Sequence, residues 1–185
     1  MKAFTSILLF FVCSFAVANA QSKMNAGVRA VVALPIGSFG DVAGTGFGVL
    51  GTYEIGFGNN LVGIGQIGYI SWGGKDFGDY SYGYSAVPII FGVKYFLTPG
   101  KGFYGTSSIG FHFFSVSTDI PTITFGGTTI GGGSASANST DFTFSLGAGY
   151  EVPVNKKYSL DIGGDFNLIN DANYFTIHVG GKMDL

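Results

Sequence analysis

A chain of 185 residues can bury one modest domain, and 32 Gly, 19 Phe and 10 Tyr give this one the texture of β-structure joined by tight turns. Charged residues make up 11% of the chain and hydrophobic residues 46%, the reverse of the makeup that keeps a chain disordered. A net charge of −2 offers no basic footprint for nucleic acid, which is excluded as a partner.

Residues 1–20 read as a cleaved signal peptide: Lys2 supplies the positive n-region, Ile7 to Phe15 the apolar run, and Ala18-Asn19-Ala20 the cleavage site before Gln21. The alternative, a retained transmembrane helix, needs roughly 20 apolar residues, more than this run holds. The single cysteine, Cys13, lies in this segment behind Phe10 and Val12, so a lipoprotein-type site is not expected. The mature domain, residues 21–185, is then left without disulfide or thiol chemistry.

From Gln21 onward the chain alternates with period 2, in eight segments of about ten residues. The first, Lys23 to Leu34, sets Met24, Ala26, Val28, Ala30, Val32 and Leu34 against Lys23, Asn25, Gly27 and Arg29. Gly44 to Phe57 sets Phe47, Val49, Tyr53, Ile55 and Phe57 against Gly46, Gly48, Thr52, Glu54 and Gly56. Leu61 to Trp72 alternates poorly, and its facing stays open. Tyr84 to Leu97 sets Val87, Ile89, Phe91, Val93, Tyr95 and Leu97 against Gly92 and Lys94. Phe103 to Val116 sets Ile109, Phe111 and Phe113 against Thr106, Ser108, Gly110 and His112. In Asp141 to Val152, Tyr158 to Leu168 and Tyr174 to Leu185 the polar face carries Glu151, Asp161, Asp165, His178, Lys182 and Asp184.

Gly58-Asn59-Asn60, Thr98 to Gly102 and Pro153 to Lys157 are tight turns. The other four connections, Pro35 to Ala43, Gly73 to Gly83, Ser117 to Thr140 and Ile169 to Asn173, are longer on average and carry Asp41, Asp76, Asp79, Asp119 and Asp171. Alternating short basic turns and long acidic loops match a transmembrane β-barrel, with turns at one end and loops at the other.

Alternation alone leaves open a soluble calyx with its apolar face inward. Three features favour the membrane instead: a glycine-loaded polar face suited to a narrow lumen, the leader, and aromatics near strand ends. The last set, expected as interfacial girdles, is Tyr53, Phe57, Tyr69, Trp72, Tyr95, Phe96, Phe103, Tyr104, Tyr150, Tyr158, Tyr174 and Phe175.

The N-terminal run "NAGVRAVVALPIGSFGDVAGTGFGV" and the closing octet "HVGGKMDL" carry a resemblance that covers the whole mature chain. It resembles the small outer-membrane β-barrel family of Gram-negative bacteria, with OmpA/OmpX-type and OmpW-like relatives. The resemblance implies an all-β fold, an eight-stranded antiparallel up-and-down transmembrane β-barrel, in the bacterial outer membrane. Its implied partners are outer-membrane lipid and, during biogenesis, the barrel-assembly machinery; a monomer is expected. In the family the last strand resembles an assembly signal of the form polar-x-Gly-x-x-apolar-x-apolar. His178, Gly180, Met183 and Leu185 occupy its four positions, with Leu where Phe is frequent.

Eight strands enclose a space that side chains can fill, so a water-filled general porin is not expected. Inward charges must then pair: Arg29, Lys94 and Lys182 against Glu54, Glu151, Asp161 and Asp165, with His178 among them. One register of the last two strands would set Asp161 against Lys182 and Asp165 against His178. Plugging and register is the plain role for this network, and a selective conduit the other.

No enzyme activity, cofactor or metal is expected: His112 and His178 are separated and inward, and Asp76 and Asp79 lack the spacing of a calcium loop. The stretch from Ser117 to Thr140 combines a hairpin, Thr-Ile-Thr-Phe/Gly-Gly/Thr-Thr-Ile, with a flexible Gly/Ser/Ala run, and could prolong the strands on either side. It reads as a recognition loop or gate, or as a variable loop. Two functions follow from the resemblance: a structural or surface-interaction barrel of the OmpX type, and an OmpW-like transporter of small hydrophobic molecules. An apolar pocket under the long loops with a break in the wall would mark the second.

Overall fold

The computed structural model describes residues 23–75, 81–125 and 128–185; the leader assigned to residues 1–20 lies outside them. Eight antiparallel strands close into a barrel in chain order: β1 (Met24–Pro35), β2 (Ala43–Gly56), β3 (Leu61–Gly74), β4 (Ser81–Thr98), β5 (Lys101–Phe125), β6 (Thr128–Pro153), β7 (Tyr158–Ile169) and β8 (Tyr174–Asp184). A short helix, α1 (Ser38–Val42), stands in the β1–β2 connection. The seam joins β8 to β1 from Asn25↔Asp184 to Pro35↔Tyr174, and the Leu185 N–H adds a bond to the Met24 carbonyl at 2.9 Å.

The shortest strand, β8, has 11 residues, and about 9–11 tilted residues cross a bilayer. Among the described residues no helix is long and apolar enough to cross, so any crossing belongs to the strands. Val28, Phe47, Val49, Ile67, Phe91, Ile109, Leu146, Leu160, Ile162 and Val179 all face outward and are exposed. A soluble barrel hides such residues in its core. Here the apolar set is outside and the polar set inside, the arrangement of a transmembrane barrel, which removes the calyx alternative.

Three expectations change. Trp72, Phe96, Tyr104 and Tyr174 are not girdle residues: each points into the lumen and is at most 3% exposed. They share strand parity with inward neighbours, Phe96 with Lys94, Tyr104 with Thr106, and Tyr174 with Thr176 and His178. Second, β3 resolves with Ile64, Ile70 and Trp72 buried and Leu61, Ile67 and Tyr69 exposed. Its alternation fails in the sequence because lipid lies on one side and an apolar part of the lumen on the other. Third, the Gly/Ser/Ala run between Thr128 and Thr140 is strand and not a flexible loop, while the expected prolongation of the flanking strands by the hairpin is found. β5 and β6 stay paired from Val116↔Ala137 to Phe125↔Thr128, so the hairpin prolongs both strands and the Gly/Ser/Ala run is part of the ladder. β4 follows this ribbon as far as Ser81↔Asp119, whereas β7 joins β6 only from Thr143↔Ile169.

Candidate functional site

The lumen is layered. At the turn end a cavity of about 900 Å³ opens, lined among others by Asn25, Phe57, Val62, Phe96, Ser159 and Lys182. Its floor is the charge cluster. β2 contributes Glu54, whose carboxylate accepts from Lys94 Nζ at 2.6 Å and Lys182 Nζ at 2.5 Å, with Arg29 at 3.8 Å. Glu151 on β6 takes the same two lysines at 3.4 and 2.7 Å. Arg29 on β1 donates to Asp161 at 2.5 Å, and Tyr104 donates its hydroxyl to the same carboxylate at 2.5 Å. His178 Nδ1 lies 3.2 Å from Asp165 and its Nε2 is 3.3 Å from the Tyr104 hydroxyl. Lys94 Nζ also sits 4.2 Å from the Tyr104 ring centroid, a cation–π contact. An ion in so narrow a lumen is costly unless several partners replace its water, and each of these has two or more.

All eight residues named for the lumen from the sequence face inward, but their pairing differs from the expected one. The β7–β8 register places Asp161 opposite Gly180 and Lys182 opposite Ser159. The Asp165–His178 contact forms, whereas Asp161 turns to Arg29 and Lys182 crosses to Glu54 and Glu151. Partner choice follows from lumen width, because a lysine reaches the far wall as readily as the neighbouring strand. Tyr104 and Thr106, which donates to Asp165 at 3.0 Å, complete the cluster. Glycine makes room for it: a Cβ on Gly149 would strike the Tyr104 ring.

Above the charges the wall turns polar and neutral, with Ser145 donating to Asn167 at 2.7 Å. A void of about 20 Å³ between Gln66, Pro88, Ser108 and Thr176 has room for about one water. The long-connection end is then closed by aromatics. His112 Nε2 and the Tyr174 hydroxyl are 2.6 Å apart, His112 stacks on Phe114, and Trp72 packs edge-on against Tyr174 with ring centroids 5.2 Å apart. Gly46, directly opposite Trp72, leaves the space its indole fills. α1 drops Phe39 onto Trp72, Tyr84 and Phe114. The helix is tied down by the Lys75 N–H on the Val42 carbonyl at 2.9 Å and by Lys75 Nζ on the Gly40 carbonyl. Trp72 Nε1, His112 Nδ1 and Thr143 Oγ1 are buried here without a hydrogen-bond partner among the described residues, at about 1–3 kcal/mol each.

Among the described residues no group of three or more His, Cys, Asp or Glu side chains is arranged to hold a metal ion. Of the four closing-strand positions, His178 is in the cluster, Gly180 leaves room beside Arg29, where a Cβ would come within 2.7 Å of Cγ, and Leu185 is exposed. Met183 pairs with Ala26 across the seam and with Tyr158 on β7.

A closed eight-stranded wall, apolar outside and charged inside, defines a transmembrane β-barrel of the small outer-membrane type. Solved structures agree. The chain is similar to Ail, the attachment invasion locus protein of Yersinia pestis, at 13% identity over 89% of this chain and 97% of that one, with a TM-score of 0.56. It is similar to Neisserial surface protein A at 13% identity, 88% and 97% coverage and a TM-score of 0.55. A major outer membrane protein of Thermus thermophilus matches at 12% identity, 88% and 99% coverage and a TM-score of 0.53. At such identities the likeness is one of fold. No protein-family model and no curated protein sequence matches the chain.

Proposed function

We propose that the chain is an integral protein of the bacterial outer membrane, exported through a leader cleaved before Gln21, with a structural or surface-display role and a plugged lumen. The observation that carries this reading is double occlusion: the ion cluster fills the lumen at one level and the aromatic layer at another, with a void of about 20 Å³ between them. Such a barrel stiffens the membrane and holds out the β5–β6 ribbon, and it performs no catalysis. His178, Gly180, Met183 and Leu185 act as the label read by the barrel-assembly machinery, and lipid is the permanent partner of a monomer.

One observation favours the transporter alternative. Pairing between β3 and β4 passes from Ile67↔Ile89 to Ile70↔Ala86 without bridges between, a thin place in the wall at Pro88, which has no N–H to donate. Behind it, however, Ile70 and Trp72 are fully buried in packed side chains, where a conduit for apolar solutes needs open space. Reconstitution in liposomes decides between the two. The plugged barrel gives no steady conductance and no uptake of small apolar solutes, and a clear apolar flux would overturn it.

A further inference from the structure

The cations of the described residues fall into three sets. Arg29, Lys94 and Lys182 are spent inside the lumen. Lys75 stands at the long-connection end with its Nζ on the Gly40 carbonyl. Lys23, Lys101, Lys156 and Lys157 all lie at the turn end, exposed, and none has an ion-pair partner among the described residues. The exposed acids lean the other way. Asp41, Asp141 and Asp171 stand at the long-connection end, while at the turn end Glu151 is turned inward onto Lys182 at 2.7 Å and Asp184 lines the lumen mouth, its backbone N–H on the Lys157 carbonyl at 2.9 Å.

Three of the free lysines crown one stretch of wall. Lys101 begins β5 at the Thr98↔Lys101 turn, Lys156 and Lys157 close the β6–β7 turn, and β5 and β6 are paired at this end by Gly102↔Glu151. Immediately below, on the lipid side, Phe103 packs edge-on against Tyr150 with centroids 4.7 Å apart, and Val152 and Tyr158 are exposed beside them. Aromatic side chains of this kind settle at the level of the head groups, which holds the ammonium groups at phosphate depth.

We propose that this turn-end patch binds the phosphate of anionic phospholipids, with Lys101, Lys156 and Lys157 on the head group and the Phe103–Tyr150 face against the first part of the acyl chains. The proposal rests on the membrane-barrel reading above. A lipid is the occupant because Lys101 stands directly above the apolar Phe103–Tyr150 face, with Lys157 and Lys156, which also lines the rim of the lumen mouth, on the neighbouring turn, and a free anion would gain nothing from that wall. A lysine near an anionic membrane surface contributes about fivefold in affinity, so the three together select anionic lipid strongly.

The test uses the full mature chain in bilayer discs made from equal amounts of phosphatidylglycerol and phosphatidylcholine, with retained lipids counted by native mass spectrometry. Wild type keeps phosphatidylglycerol over phosphatidylcholine by about tenfold or more, and K101Q/K156Q/K157Q brings the ratio close to one. Lys75→Gln leaves the ratio unchanged, and K101R/K156R/K157R preserves it. If the triple glutamine variant does not insert, each single Lys→Gln change still lowers the ratio about two- to fivefold. Soluble glycerol phosphate displaces no lipid; displacement would overturn the lipid as occupant. Failure of the wild-type chain to enter bilayers at all would overturn the membrane reading, whereas insertion with equal retention of both lipids overturns this inference alone.

Discussion

Replacing Glu54 by glutamine removes the carboxylate that three lumen cations share, at 2.5 Å from Lys182, 2.6 Å from Lys94 and 3.8 Å from Arg29. At an effective dielectric of about 20, unit charges at these separations attract by roughly 4–7 kcal/mol each. Much of that attraction offsets the cost of taking the ions out of water. The measurable consequence of Glu54→Gln is therefore the cost of leaving buried cations short of a partner, about 3–5 kcal/mol. Glu151 softens it, since it stays 2.7 Å from Lys182 and 3.4 Å from Lys94. The assay is reversible urea unfolding of the barrel in liposomes, read by electrophoretic mobility and tryptophan emission. Removing Lys94 together with Glu54, as E54Q/K94M, restores charge balance and should cost less than the two single changes combined, by about 1–2 kcal/mol. A Glu54→Gln barrel within about 1 kcal/mol of wild type, as for a solvent-exposed pair, or strict additivity in the cycle, would refute the buried cluster.

The remaining predictions test other layers. Ile109→Arg, outward and 54% exposed at mid-strand, should destabilise the barrel by about 2–4 kcal/mol in lipid, measured by the same unfolding curves; a water-facing position would tolerate it. Trp72, the single tryptophan, should resist quenching by brominated acyl chains, because it faces the lumen; strong quenching would place it in the girdle. Gly147→Val should prevent folding, since a Cβ there would meet Asp165 Oδ1, with the Gly164 carbonyl and Thr106 Oγ1 both at 2.7 Å; heat-modifiable mobility on gels is the readout. Deleting Met183 to Leu185 removes the Ala26↔Met183 pairing and the Leu185–Met24 bond of the seam. The truncated chain should accumulate unassembled in the periplasm, and normal surface insertion would show that these residues are dispensable.

Much of the site was legible because the strand period is strict. Once Thr106, Ser108, Gly110 and His112 are read as inward, Tyr104 must be inward too. The interfacial preference of aromatics applies only to positions that already face lipid, so strand parity is the stronger rule at Tyr104. The same parity would have placed Phe96 with Lys94 and Tyr174 with His178. Trp72 was harder, because β3 is apolar on both faces and its parity has no polar marker except Gln66. Phe39 was out of reach: it sits in a connection, and nothing local says that α1 folds inward to cap the barrel.

Alternation and turn chemistry suffice to specify eight strands in chain order and, outside β3, which residues of a strand share a face. These are local properties, repeated every second residue, and they survive without knowledge of distant contacts. Charge pairing is different. Asp161 meets Arg29, 132 positions away, and Lys182 meets Glu54, 128 positions away. Those partners depend on the stagger with which β8 closes on β1 and on the width of the lumen. Only the closed tertiary structure sets these, because both are properties of the whole ring of strands and of no single one.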